Sequence, residues 1–239
     1  MNGSALRENP QTSDINFFIV MSFAMAFVIA AGFSQTVPKD FGTPGIALLL
    51  HVHGMIFTLW VLLAVVQPLL IGRGIVVQHR RMGWIGTVLA AAVVVAGFFA
   101  VIHSIRTDSM TPGFPPGIFL LANSLAVLRF GGFVTAAVLL RREPEWHMRL
   151  MYCASTAVLG PGVGRLPFMG ALGPLRPLAV SASVDLFILI GIGADLVKRR
   201  AIHPAYLWGL GVTFATQLLT VMLGFRPATL ALVEYIRTM

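Results

Sequence analysis

Residues 84–102 of this 239-residue chain read WIGTVLAAAVVVAGFFAVI and contain no Asp, Glu, Lys or Arg. Residues 15–33, which read INFFIVMSFAMAFVIAAGF, form a second stretch of the same kind. Each stretch is long enough to cross a bilayer as a helix, which takes about 20 apolar residues. The whole chain is 57% hydrophobic and only 11% charged, whereas a soluble domain has roughly a quarter of its residues charged. The sequence therefore predicts an integral membrane protein and excludes a water-soluble fold.

Breaks at proline, glycine and charge clusters divide the chain into predicted spans. The spans are residues 15–35, 45–71, 82–104, 117–140, 148–168, 178–197 and 205–225. The fifth is the weakest, because glycines and prolines between Gly160 and Pro167 interrupt its outer half. Broken main chain at that depth is tolerated only against protein or a cavity. The predicted fold class is all-α, an integral membrane bundle of about seven transmembrane helices.

The basic residues orient this bundle. The loops after spans two, four and six hold most of them, namely Arg73, Arg80, Arg81, Arg141, Arg142, Arg149, Lys198, Arg199 and Arg200. The loops after spans one, three and five hold Lys39, Arg106 and Arg176. The positive-inside rule then places the N-terminus inside and the C-terminus outside. The predicted regions are a cytoplasmic tail at 1–14, a transmembrane domain at 15–225 and an extracytoplasmic tail at 226–239.

Charge and cysteine content exclude several partners. The net charge is +8, but the basic residues lie in short clusters between apolar segments and do not form the concentrated basic face that binds nucleic acid. One cysteine, Cys153, excludes an internal disulfide and a Cys-rich metal or iron–sulfur site. We expect the lipid bilayer of a bacterial inner (plasma) membrane as the main partner, with a quinone or another membrane subunit as further partners.

Two histidines open the second span, in the sequence His51-Val52-His53-Gly54. They lie a turn or two below the predicted outer surface. Ionisable groups inside a membrane are functional hypotheses by default, and residues two apart on a helix point in nearly opposite directions. We therefore expect one imidazole to bind a cofactor while the other makes a hydrogen bond. The alternative is a structural role for both.

Arg129 lies near the middle of the fourth span, and its long side chain can reach toward Asp185 in the sixth. An arginine and an aspartate inside a membrane predict a proton or charge relay. Together with the histidines of the second span, they would line one pocket open toward the outer leaflet. The alternative is an ion pair that only locks two helices together.

A second polar group lies at the predicted cytoplasmic face. Its members are Gln67, His79, Arg81, Trp84, His147, Arg149, Asp195 and His203. The third span opens with His79-Arg80-Arg81-Met82-Gly83-Trp84 and the fifth with His147-Met148-Arg149-Leu150-Met151-Tyr152, a shared pattern that indicates a duplicated helical hairpin. The alternative is that these are ordinary interfacial residues that extend to the headgroups.

Two histidine layers near opposite faces of a bundle are what a protein needs to hold haem between facing helices. The predicted ligands of haem iron, or of another metal ion, are His51 and His53 in the outer layer and His79 and His147 in the inner layer. Arg81 and Arg149 would offset negative charge on the cofactor. A one-haem or a haem-free site fits the same residues.

The sequence resembles a family of uncharacterised bacterial multi-pass membrane proteins in five places. These are His51-x-His53-Gly54, Gln67, His79-Arg80-Arg81-x-Gly83, His147-x-Arg149-Leu150-Met151, and Asp195 with His203-Pro204-Ala205. The resemblance covers spans two to seven and implies a membrane bundle. More distantly, the chain is similar to cytochrome b561 and ferric-reductase-like proteins. That similarity implies haem b and transmembrane electron transfer, with the four histidines as the matching ligand types.

The pattern as a whole favours an integral membrane redox protein that binds b-type haem or a quinol and transfers electrons across the membrane. The alternative is a non-catalytic membrane module, such as a small-molecule transporter, a sensor or a subunit of a larger membrane complex. A third interpretation is that the polar residues only hold the helices together.

Overall fold

The computed structural model describes residues 10–34 and 48–239, and every regular element in these ranges is a helix. The helices are α1 (Pro10–Phe33), α2 (Leu48–Gly72), α3 (Val76–Arg106), α4 (Pro116–Leu139), α5 (Pro144–Ala157), α6 (Gly160–Val163), α7 (Arg176–Arg199), α8 (Pro204–Leu223) and α9 (Pro227–Thr238). A 3-10 segment, Pro167–Leu175, lies between α6 and α7. The predicted all-α class is confirmed. Lys39 and residues 1–9 of the predicted tail lie outside the described residues.

Six helical segments in the described ranges are long and apolar enough to cross a membrane. They are Asp14–Phe33 of α1, α2, α3, α4, the segment Pro167–Arg199 that contains α7, and α8. Each corresponds to one of the predicted spans. The predicted multi-pass membrane protein is therefore confirmed.

The remaining predicted span, residues 148–168, is not one continuous helix. Helix α5 ends at Ala157, and the single-turn α6 and the 3-10 segment follow it. The glycines and prolines expected to weaken this region interrupt the helix. The irregular part packs against α1, where a Cβ atom at Gly32 would overlap the carbonyl oxygen of Gly162. Protein thus covers the broken main chain, as a membrane environment requires.

Several helices begin at a proline. Pro116, Pro144, Pro204 and Pro227 occupy the first positions of α4, α5, α8 and α9. Proline suits this position because its fixed φ is helical and its missing N–H has no partner there in any case. At the other end of α7, Arg200 adopts a left-handed conformation with a φ of 55°, which terminates that helix.

Contacts between distant parts of the chain define two ends of the bundle. At the first, here called the Arg149 end, Arg149 on α5 contacts Asp195 near the end of α7, and Asp14 near the start of α1 lies beside them. At the second, called the Arg176 end, the Arg176 guanidinium at the start of α7 donates to the carbonyl oxygen of Pro112, which precedes α4. The two ends thus carry different polar groups.

Candidate functional site

His79 and His147 lie together at the Arg149 end. Their ring centroids are 6.2 Å apart and their ring planes are perpendicular, at 90°. His79 lies in the first turns of α3 and His147 in the first turn of α5, and both side chains are half-buried. The fold therefore places the two equivalent histidines of the repeated sequence pattern against each other.

A hydrogen bond fixes the orientation of the His147 ring. Its Nδ1 lies 2.8 Å from the carbonyl oxygen of Ala137, near the end of α4. Because a carbonyl oxygen only accepts, Nδ1 carries a proton, and in the neutral ring the lone pair is on Nε2. Metal-binding histidines characteristically donate their other ring N–H in this way. The hydrogen bond thus leaves Nε2 as the ring nitrogen that could bind a metal.

His79 and Gln67 carry buried polar atoms that make no hydrogen bond within the described residues. These atoms are His79 Nδ1 and both the Nε2 and the Oε1 of Gln67. The His79 ring lies close to the main-chain carbonyl of Gln67. A buried polar atom without a partner costs about 1–3 kcal/mol. Each of these three atoms would therefore be stabilised by a further polar group.

The two histidines are a small donor set. In the ranges that the structure describes, no group of three or more His, Cys, Asp or Glu is arranged to hold a metal ion. Haem iron receives four nitrogens from its own macrocycle and needs axial ligands only. A pair of imidazoles on neighbouring helices would supply the protein ligands of such an iron. His79 on α3 and His147 on α5 are such a pair, with 6.2 Å between their ring centroids.

Beside this pair, a buried ion network joins α1, α5 and α7. Arg149, only 1% exposed, donates from Nε and Nη2 to Asp195 at 2.9 and 2.6 Å, and from Nη1 to Glu145 at 2.6 Å. Arg199 pairs with Asp14 and Glu145. Burial raises the pKa of Glu145, but its hydrogen bonds and ion pairs with Arg199 and Arg149 outweigh burial and leave that pKa below its usual value. The Arg149 charge is thus offset by carboxylates of the protein itself.

His203 joins the same network at the start of α8. Its main-chain N–H donates to Asp195 at 3.2 Å, and its Nδ1 accepts from the N–H of Ala205 at 3.1 Å, which caps the helix. The Trp146 ring meets it edge to face at 5.1 Å. Burial lowers the pKa of His203, and the charge of Arg149 lowers it further, against the opposing effect of Asp195. His203 therefore serves as a neutral cap.

Arg129 and Asp185 approach each other without forming an ion pair in the part of the chain that the structure describes. Arg129 Nη1 donates to Thr216 at 2.6 Å, and Gln217 Nε2 donates to Asp185 Oδ1 at 2.9 Å. Arg129 Nε is buried and makes no hydrogen bond within residues 10–34 and 48–239. Thr216 and Gln217 are adjacent polar residues in the largely apolar α8. This pattern in the sequence marks them as candidates for a polar site inside the membrane.

The outer histidines lie apart from the inner pair. His51 is exposed, whereas His53 is half-buried and stacks on Phe57 with 6.1 Å between centroids. The His53 Nδ1 atom is buried and has no hydrogen-bond partner among the residues that the structure describes, and the His53 ring lies near the main chain of Ala96 on α3. In the described ranges no second histidine ring contacts His53. The outer cofactor layer therefore stays a prediction.

The fold and this site define the class of the protein as a multi-pass helical membrane protein. A comparison of the chain with models of protein families, with curated proteins and with solved structures finds no match.

Proposed function

We propose that this chain is an integral membrane redox protein that binds a b-type haem between His79 and His147. The observation that carries the proposal is the perpendicular pair of rings, one of which has its Nε2 lone pair fixed by the hydrogen bond to Ala137. When bound, the haem supplies reversible one-electron transfer at its iron. A quinone or another membrane subunit would exchange those electrons.

The residues around the pair position it. The ion pair of Arg149 with Asp195 holds α5 against α7 and so sets the rotation of the helix that carries His147. The main chain of Gln67 meets the His79 ring, and the Gln67 amide offers a further donor and acceptor on α2. Arg81 is exposed at the same end and pairs with no carboxylate in residues 10–34 and 48–239. It is therefore the better placed of the two predicted arginines to meet a haem propionate.

The direct test is an absorption spectrum of the purified protein, oxidised and then reduced with dithionite, with a metal analysis of the same sample. Expression in cells with ample haem should give a Soret band and sharp α-bands on reduction. A colourless, metal-free protein would contradict the proposal.

The buried set around Arg129 favours a second candidate, a membrane transporter or sensor for a small molecule. The Arg129 guanidinium, whose Nε makes no hydrogen bond within the described residues, could bind one end of a small polar ligand. The Asp185 carboxylate across from it could bind the other end. In this case the metal and chromophore content should not change in His147→Ala, whereas Arg129→Gln should abolish stabilisation by small carboxylates in a thermal-shift screen.

We further infer that the chain crosses the membrane seven times, with the N-terminus inside and the C-terminus outside a bacterial inner membrane. Arg149, near the start of α5, lies at one end of the bundle and Arg176 at the other. This placement supports a crossing by the chain between them, although no single helix there is long enough to span the membrane. Labelling of single cysteines introduced at Arg142 and Leu175, both exposed and on either side of the broken segment, in a Cys153→Ala background should place Arg142 inside and Leu175 outside. Labelling from the same side would contradict this topology.

A further inference from the structure

Three residues of α2 carry buried polar atoms that have no hydrogen-bond partner within the described residues. They are His53, Trp60 and Gln67, and the atoms are His53 Nδ1, Trp60 Nε1 and both polar atoms of the Gln67 amide. Each residue follows the previous one by seven positions. Seven residues make nearly two helical turns, so the three side chains lie on one face of α2. This face is here called the α2 polar stripe.

The stripe faces the interior of the bundle. Trp60 is 3% exposed, the most deeply buried side chain of α2, and meets Phe130 of α4 edge to face at 4.8 Å. The His53 ring meets the main chain of Ala96 on α3, and the main chain of Gln67 meets the His79 ring at the start of the same helix. The stripe therefore follows the seam between α2, α3 and α4. At 1.5 Å per residue it extends about 21 Å, which is most of a hydrocarbon core of about 30 Å.

Lipid cannot satisfy these atoms, because hydrocarbon has neither donors nor acceptors. The Trp60 N–H only donates, whereas the Gln67 amide both donates and accepts. Water is the one small group that matches donors and acceptors alike, and buried water characteristically bridges polar atoms that lack protein partners. Polar side chains in membrane helices also commonly face water-filled cavities.

We propose that the α2 polar stripe lines a file of ordered water molecules that conducts protons between the two ends of the bundle. A proton entering at one end displaces another at the far end along the hydrogen-bonded waters, so none of the three side chains has to change its own protonation state. The net result is movement of one positive charge across the membrane. This activity does not depend on a haem.

The experiment measures proton flux into vesicles that contain the full-length protein and a pH-sensitive dye. A potassium gradient with a potassium ionophore supplies the driving force and balances each proton that crosses. Wild-type protein should acidify the vesicles faster than protein-free vesicles. Gln67→Leu and Trp60→Phe should reduce that rate at least several-fold, because the first removes the amide and the second removes only the indole N–H while an aromatic ring still faces Phe130.

Thr58→Val is the matched control on the same helix. Its hydroxyl donates to the carbonyl oxygen of Gly54 one turn earlier and lies on the exposed face, so this variant should conduct like wild type. The unfolding temperature and elution profile of each variant establish that it folds, and Gln67→Met replaces Gln67→Leu if the latter aggregates. A wild-type rate equal to that of protein-free vesicles, or folded stripe variants that conduct like wild type, would overturn the proposal. An absorption spectrum of the same preparations tests the haem separately.

Discussion

The Arg149 guanidinium donates two hydrogen bonds to the Asp195 carboxylate, and both side chains are buried. The pair joins α5 to α7, and its arginine follows His147 by two residues in the chain. A two-point contact between planar groups fixes the relative rotation of the two helices more tightly than a single contact can. The ion pair therefore holds the helix that carries His147 in one rotation, although His147 itself takes no part in the pair.

Removal of one partner of this pair should destabilise the protein strongly. Arg149→Met leaves Asp195 without its cation, and breaking a buried pair from one side costs about 3–5 kcal/mol in the free energy of unfolding. The double variant Arg149→Met with Asp195→Leu should lose less than the single variant. Denaturant unfolding in detergent measures both.

The pair of Arg237 with Asp108 at 3.3 Å provides the control, because the Asp108 side chain is 78% exposed and that of Arg237 is 34% exposed. Arg237→Met should cost about 1 kcal/mol or less. A loss in Arg149→Met no larger than in Arg237→Met would show that the buried pair contributes little.

Stability should fall as the pH falls below neutrality. The pKa of His203 lies below its ordinary value in the folded protein, so the unfolded chain binds a proton there more readily. The stability from neutral His203 is thus complete above about pH 6.5, the ordinary histidine value, and is lost as the pH falls through the lowered pKa. Glu145 adds a loss of the same sign at lower pH, because its pKa is also lowered.

Unfolding temperatures recorded from about pH 7 to about pH 4 measure this profile. His203→Asn keeps a side-chain acceptor for the N–H of Ala205 and does not titrate, so it should flatten the upper part of the curve. If the unfolding temperature of His203→Asn varied with pH as in wild type, His203 would not be a cause of the pH dependence.

The contact between α1 and α6 should not tolerate a side chain. At Gly162 a Cβ atom would lie 2.9 Å from the Cα of Ile29, and at Gly32 it would overlap main-chain atoms of Gly162. Gly162→Ala and Gly32→Ala should each cost about 1–3 kcal/mol, the usual range for overpacking. Gly193→Ala on α7, where a Cβ atom would meet nothing within 4 Å, should cost nothing. Equal unfolding temperatures in all three variants would contradict the close packing of the broken segment.

Residue patterns predicted the spans and the residue types at each end of the bundle, because hydrophobic length and charge placement follow directly from the bilayer. The repeated His-x-Arg pattern also indicated that His79 and His147 share one membrane face. Thr216 and Gln217 stand out in the sequence as polar neighbours within α8, but the contact of Thr216 with Arg129 could not be predicted, since the rotation of α8 is set by packing. The role of Trp60 could not be predicted either, because the sequence does not show that its N–H is buried.

The ligand role of His79 and His147 is the central claim, and haem content of matched histidine variants tests it most directly. Haem per protein should be measured from reduced spectra of wild type, His79→Ala, His147→Ala and His103→Ala, each purified from cells with ample haem. We predict haem in wild type and in His103→Ala, whose residue lies near the far end of α3, and its loss in the two inner variants. Haem retained in both His79→Ala and His147→Ala, or absent from wild type, would contradict the account.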